Sequence, residues 1–377
     1  MNGFSATRVL AVLVKEFKQL SRDRLTFAMI LAMPVVQLLL FGYAINTQPR
    51  HLPTALLVQE DTVFARSITA ALKNSAYFDF TAQARTPAEL DAMLQRGEAQ
   101  FAITIPGDFT RRVARGDKPQ ILVEADASDP AATGGAAAAL AALPREALAH
   151  DLKGVLGPRA QAVPPFEVVI HNRYNPEAVT AFNIVPGLLG VVLSMTLVMM
   201  TSLSVTRETE RGTMESLLAT PVEPLEVMAG KLAPYVAVGL IQTSLILLMA
   251  KLLFGVPMQG GWAGLAIGVV LFIVGSLALG FLISTVARSQ LQAMQMSLFY
   301  ILPSILLSGF MFPFRGMPEW AQAIGQLIPV THFLRVVRGA LLKGQDLGDM
   351  WPELVALLAF VCAVAALAMA RYRRTLD

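Results

Sequence analysis

The sequence has little cysteine, little histidine and little charge. One cysteine in 377 residues, Cys362, excludes an intrachain disulfide and leaves no thiolate cluster for a metal. Four histidines, His51, His150, His171 and His332, stand far apart, so neither a His-Glu-x-x-His pair nor a Ser/His/Asp set is present. Charged residues are 15% of the chain, against about 25% in an average soluble domain. No phosphate-binding loop occurs. Gly230-Lys231 comes nearest, but Leu225 stands where the first glycine belongs and Leu232 where Ser or Thr belongs. No carboxylate falls inside the apolar runs, where a proton or sodium relay would place one. The net charge of +3 is small and its basic residues sit at the edges of those runs, which speaks for membrane topology and against nucleic acid. A metal centre, an ATPase site and an ion-coupled transporter are thus all disfavoured, and any uphill work must draw energy from another chain.

What the sequence does hold is apolar runs: 55% of its residues are hydrophobic. Six membrane spans are expected, near Leu25–Ile45, Ala181–Ser204, Leu232–Phe254, Ala263–Val286, Ala293–Met311 and Leu354–Ala370. Each is close to the ~20 residues that a bilayer requires. Residues 1–24 precede the first span as an amphipathic interface helix. Its apolar stripe includes Leu10, Leu13 and Phe17, and its positive flank includes Lys15 and Lys18. No cleavable signal peptide is expected, because the first run begins only near Leu25 and lacks a small-residue cleavage site. Basic residues crowd one side, at Arg22, Arg24, Arg207, Arg211, Lys231, Arg288 and Arg371, which predicts both termini in the cytoplasm.

Between the first two spans, residues 46–179 contain no such run. Strand-like segments, Thr54–Val58, Phe78–Ala82, Gln100–Ile105, Gln120–Ala125 and Phe166–His171, alternate with helical ones. This predicts a mixed α/β domain on the outer side. Its Asp61, Asp79, Asp126, Asp129 and His150 lack metal-ligand spacing and read as a solvated surface. Residues 180–377 carry the remaining spans. Within them, Gly264-x-x-x-Gly268 and Ser276-x-x-x-Gly280 are small-residue ridges suited to close helix packing. Residues 313–345 hold two helical pieces too short to cross a bilayer, read as re-entrant half-helices at the outer face.

The segment 205–224 is dense in charge yet lies between two spans, so it must be in water. Thr206 or Thr209 is a candidate cap, Met214, Leu217 and Leu218 recur at helical spacing, and Pro221 and Pro224 end the piece. A short helix suited to docking a soluble partner is the expectation.

At these residues the chain resembles a family. Arg207-Glu-Thr-Glu-Arg-Gly-Thr-Met-Glu-Ser-Leu-Leu-Ala-Thr-Pro221 is similar to the coupling segment of the type-2 ABC exporter permeases. Tyr174-Asn-Pro-Glu177 and Ile328-Pro-Val-Thr-His-Phe333, with Arg335 and Gly339 after it, look like further elements of the bacterial drug-efflux subfamily with a large external domain. The resemblance covers nearly the whole chain. It implies an α-helical polytopic fold with six spans plus the α/β external domain, in the bacterial inner membrane. It also implies pairing with a second copy or a related permease. An ABC ATP-binding subunit would carry ATP and Mg, while this chain itself holds no cofactor and is not an enzyme. Coupling would run through Arg207, Glu208, Glu210, Arg211, Gly212, Thr213, Met214, Glu215, Leu217, Leu218 and Pro221, and through the interface helix at Lys15, Phe17 and Lys18. A periplasmic adaptor and membrane lipids are the further partners the resemblance admits. Gln37, Asn183, Gln242, His332 and Arg335 are candidate pathway or gate residues; helix bridging is the rival reading for the first three, and snorkelling to the outer interface for His332, Arg335 and Arg338. The resemblance implies export of drug-like or amphipathic compounds. A membrane-anchored receptor or envelope assembly protein, and lipid or polysaccharide export, are the alternatives.

Overall fold

A computed structural model describes residues 50–128, 130–149, 151–152, 164–177, 179–210 and 224–374. The expected interface helix, the first span with Gln37, and residues 211–223 lie outside the described residues.

The α/β unit is built on a five-stranded sheet. Its strands are β1 (Leu52–Val58), β2 (Phe78–Gln83), β3 (Phe101–Ile105), β4 (Gln120–Asp126) and β5 (Glu167–Arg173), in spatial order β2-β1-β3-β4-β5. β1 pairs in parallel with both β2 and β3, β3 and β4 run antiparallel, and β4 and β5 are parallel. Among the described residues, four helices connect them: α1 (Val63–Asn74), α2 (Pro87–Gln95), α3 (Phe109–Arg115) and α4 (Pro130–Glu146). Alternation along the strands sends successive side chains to opposite faces. Leu56, Phe101, Ile103, Ile121 and Val123 join Ile68 and Leu72 of α1, Phe109 of α3 and Leu140 of α4 in the larger core. Ala55, Leu57 and Ala102 point the other way and meet Leu90 and Leu94 of α2.

Local chemistry explains the boundaries. Thr62 caps α1 by accepting from the Ala65 amide at 3.3 Å. Thr86 accepts from the Glu89 amide at 3.2 Å, while the Glu89 carboxylate accepts from the Arg85 amide at 2.8 Å. That reciprocal pair, with Pro87 at the first helical position, starts α2. Gly116, at φ +82°, ends α3 in the left-handed conformation that glycine adopts without strain.

The second unit is helical: α5 (Thr180–Glu210), α6 (Pro224–Phe254), α7 (Trp262–Ser284), α8 (Gln290–Leu307), α9 (Glu319–Gly325), α10 (Pro329–Arg338) and α11 (Leu347–Arg374). Among the described residues, four helices are long and apolar enough to cross a membrane: Thr180–Glu208, Pro234–Phe254, Trp262–Ser284 and Leu347–Arg371. The 18-residue α8, expected as a span, is not one of them. It carries Gln292, Ser297 and Ser304 on its buried side.

α7 is central, and its small residues explain why. Because lipid is as apolar as a side chain, helices in a bilayer associate through close packing rather than through the hydrophobic effect. A Cβ on Gly280 would come within 2.7 Å of the Val198 carbonyl of α5, and one on Gly268 within 2.8 Å of Val336 in α10. One on Gly264 would lie 2.5 Å from the Met350 sulfur of α11. The glycine ridge thus lets the α5 backbone approach α7 and seats the Val336 and Met350 side chains of α10 and α11 against it. Above it, Phe272 and Phe333 stack with ring centroids 4.1 Å apart. α9 and α10 are short, as expected for 313–345, and are joined to α11 by a π-helical turn, Gly339–Lys343, that closes at Gly344 with φ +67°.

Candidate functional site at the two polar ends of the bundle

One polar end is formed by the last turn of α5. The expectation of a fresh helix capped at Thr206 or Thr209 is corrected: α5 runs unbroken through both to Glu210, and Thr206 is fully buried within it. The reason lies in local propensity, since Arg207, Glu208 and Glu210 are good helix formers and no breaker precedes Gly212. Pro224 does not end a helix either; it opens α6, where a missing amide costs nothing. Arg207 Nε donates to Gln290 Oε1 at 3.3 Å, and Gln290 Nε2 donates to Glu210 Oε2 at 2.7 Å. One glutamine at the start of α8 therefore bridges a cation and a carboxylate on α5. Glu208 is half-buried beside them. Arg211, Gly212, Thr213, Met214, Glu215, Leu217, Leu218 and Pro221 lie outside the described residues, as do Lys15, Phe17, Lys18 and Gln37.

The other polar cluster is at the opposite end of α5. His332 of α10 faces the Glu353 carboxylate through Nδ1 and the Gln326 carbonyl, at 2.8 Å, through Nε2. A carbonyl only accepts, so Nε2 carries a proton. Arg335 Nη1 donates to the other Glu353 oxygen at 3.0 Å, and its guanidinium lies 4.8 Å from the centre of the Phe314 ring. Arg338 donates to the Asn183 side-chain oxygen on α5 and, at 3.3 Å, to the Gly309 carbonyl. His332 is 8% exposed and Arg338 9%. Both are enclosed by neighbouring helices and held by internal hydrogen-bond partners.

Three of the expected gate residues, Asn183, His332 and Arg335, thus converge with Arg338. Gln242 does not join them; its Oε1 on α6 is buried and has no hydrogen-bond partner among the described residues. Glu353 is the residue that sequence reading missed. The last span was expected to begin at Leu354, with no carboxylate within it, but α11 begins at Leu347 and brings Glu353 inside.

Next to this cluster the α/β unit is fastened to the bundle. Lys343 of the π turn pairs with Asp126 at the end of β4. Asp126 is 4% exposed, so its expected place on a solvated surface is corrected. Gln95 Nε2 donates to the Gly344 carbonyl at 3.2 Å, and Gln345 Nε2 returns a bond to the Gln95 carbonyl at 2.6 Å. Gly260 donates to the Ala340 carbonyl at 2.8 Å from the far side, where a Cβ would collide with the Gln345 backbone. Tyr174 lies 5.5 Å below Lys343, measured at its ring centre, and burial, with the Asp126 charge adding, pushes its phenol above the usual range. Asn175 closes the turn into α5: its side chain donates to the Val179 carbonyl at 3.0 Å and accepts from the Val179 amide at 2.9 Å. The Asn-Pro-Glu element thus forms a turn into α5.

Comparison with known proteins accords with this arrangement. The family described as ABC-2 family transporter protein matches residues 24–370. The chain belongs to the ABC-2 transporter family. It is 31% identical over 377 residues, 98% of each chain, to the probable multidrug ABC transporter permease YbhS of Escherichia coli K12. It is 25% identical to the probable multidrug ABC transporter permease YbhR of the same organism, over 97% of this chain and 98% of that one. It is 30% identical to the inner membrane transport permease YhhJ, over 77% of each. No solved structure matches. The ABC-2 chain is therefore a helical membrane permease, a transport subunit whose family implies an ABC ATP-binding partner.

Proposed function

We propose that this ABC-2 permease exports drug-like or amphipathic compounds across the bacterial inner membrane, driven by ATP and Mg bound in a separate subunit. The observation that carries the reading is the charged inner end of α5, tied to α8 through Gln290, in a chain of this family that lacks a phosphate-binding loop. At 31 residues α5 is roughly 46 Å long, at 1.5 Å per residue. That exceeds a ~30 Å hydrocarbon core, so its last turns emerge into water. There they, with residues 211–221 and the amino-terminal interface residues Lys15, Phe17 and Lys18, would receive the push of the ATP-binding subunit. The first span, outside the described residues, and α8 would complete six spans. Both termini would be cytoplasmic and the α/β unit external, consistent with the basic residues of the inner edge. A second copy or a related permease, membrane lipids and a periplasmic adaptor are the other partners of this reading. The relatives named multidrug permeases support the substrate class.

The test is co-purification of the tagged chain with an ATP-binding subunit, followed by an ATPase assay. The Glu208→Ala, Glu210→Ala double variant should insert normally, yet lose most of the substrate-stimulated ATPase activity. Unchanged stimulation together with unchanged export would remove the coupling role.

A further inference from the structure

A cavity of about 330 Å³ lies in the seam between the α/β unit and the helical bundle. Its roof is the turn after α2 and the end of β4; its floor is Pro313–Arg315, α10 and the start of α11. Cations and carboxylates both line it, so the balance decides its character. Arg96 is matched by Glu98 at 2.8 Å, Lys343 by Asp126, and Arg335 by Glu353. Asp349 is exposed and accepts from the Asp346 amide at 3.3 Å where α11 begins. Arg338 also lines it, but is 9% exposed and held within the bundle by Asn183 and the Gly309 carbonyl. Arg315 differs in being exposed, toward the cavity, and its hydrogen bond goes to a neutral group, the Gly97 carbonyl, at 3.4 Å. The carboxylate whose charge reaches it, Glu353, is already shared between His332 and Arg335, and the Arg335 charge opposes it. The cavity therefore presents a guanidinium in a partly enclosed space, next to the apolar surfaces of Phe314 and Pro352.

We propose that this seam cavity binds an anionic group, phosphate or carboxylate, with Arg315 as its principal charge and Phe314 as the apolar shelf beside it. A guanidinium offers a planar fork that matches both anions in a bidentate manner. Size limits the occupant: pockets for whole drug-sized molecules run from about 300 to 1,000 Å³. This cavity stands at the lower bound, enough for a head group and the first part of a tail. The site touches both units at once, so a bound anion would span the seam. The proposal does not rest on export, since binding alone reads it.

The experiment measures binding of dodecyl phosphate to the purified full-length chain in maltoside detergent, by thermophoresis. Dodecyltrimethylammonium and inorganic phosphate serve as competitors. Dodecyl phosphate should bind, and Arg315→Gln should weaken it at least tenfold. Arg315→Lys should lose less, and Arg66→Gln, outside the cavity, should lose nothing. The cation should not compete. Competition by inorganic phosphate would identify a free anion as sufficient; its failure to compete would identify the head group of an amphiphile. Arg315→Gln binding like the wild type while eluting as a folded chain, or equal competition by the cation, would overturn the proposal.

Discussion

Cutting the ion pair that fastens the α/β unit to the bundle should open the seam, and restoring electrical balance should close it again. Lys343 and Asp126 have side chains 12% and 5% exposed. Removing one partner of a buried pair leaves the other desolvated and uncompensated, at about 3–5 kcal/mol, whereas removing both can be nearly neutral. Lys343 keeps some contact with water, so the lower figure applies: ~3 kcal/mol, or about a hundredfold in an opening equilibrium, at 1.36 kcal/mol per decade. Asp126→Asn is the gentler single change, since its side chain can still accept from the Ser128 amide, now at 3.1 Å. Lys343→Met keeps the stem against Tyr174. Hydrogen exchange read by mass spectrometry on peptides covering 93–100 and 339–346 should speed up by about two orders of magnitude in either single variant. In the double variant it should return to within about tenfold of the wild type. If the effects of the two singles simply add in the double, the pair carries no coupling and the seam is held by its backbone bonds alone.

Two glycines should respond in opposite directions. Gly280→Ala forces a methyl group against the Val198 backbone, and overpacking of that kind costs about 1–3 kcal/mol, visible as a lower melting temperature in detergent. Gly134→Ala meets nothing within 4 Å on α4 and should raise stability by about 0.5–1 kcal/mol; a destabilised Gly134→Ala would contradict the helix there. Glu353→Ala strips the shared acceptor from His332 and Arg335 and should cost about 3 kcal/mol or more. Glu353→Gln, which can still accept from one of them, should lose less, and equal losses in a thermal-shift comparison would refute the shared-acceptor role.

Much of the α/β unit was legible from the sequence, because its signals are local. Alternating strands, Thr62 and Thr86 at helix starts, and Gly116 at a helix end each act within a few residues. All five expected strands lie where the structure has them, shifted by one or two residues at their ends. The small-residue ridge of α7 was legible for the same reason. What could not be read was pairing between distant segments. Asp126 and Lys343 are separated by 217 positions, and nothing near Asp126 marks it as buried. Glu353 was hidden by hydropathy, which favours starting a span at the first purely apolar stretch and so placed the boundary at Leu354. The unbroken α5 was missed because caps and charges at Thr206 and Thr209 suggest a helix start; the helix-forming Arg207, Glu208 and Glu210 instead carry the existing helix through them, beside its contact with α8.

That continuity gives α5 a mechanical consequence. It has polar ties at both ends: Arg207 and Glu210 to Gln290 at one, and Asn183 to Arg338 at the other. Between them, Gly190 lets Phe333 approach within 3.3 Å of where a Cβ would stand, and Gly280 of α7 receives the Val198 carbonyl. A displacement delivered at residues 207–210 can therefore reach the α10 cluster along one helix. Asn183→Ala cuts the tie to Arg338 and leaves the tie to Gln290 whole. A hydrogen bond to a charged group is worth about 1.5–3 kcal/mol, enough to shift a two-state equilibrium by roughly ten- to a hundredfold. The expected phenotype is separation of the two activities: substrate export falls about tenfold or more while ATP hydrolysis by the partner subunit stays near wild type. The Glu208→Ala, Glu210→Ala variant should lose both together. If Asn183→Ala lowers hydrolysis and export in parallel, the Asn183–Arg338 tie acts on folding or assembly instead, and α5 does not transmit between the two ends.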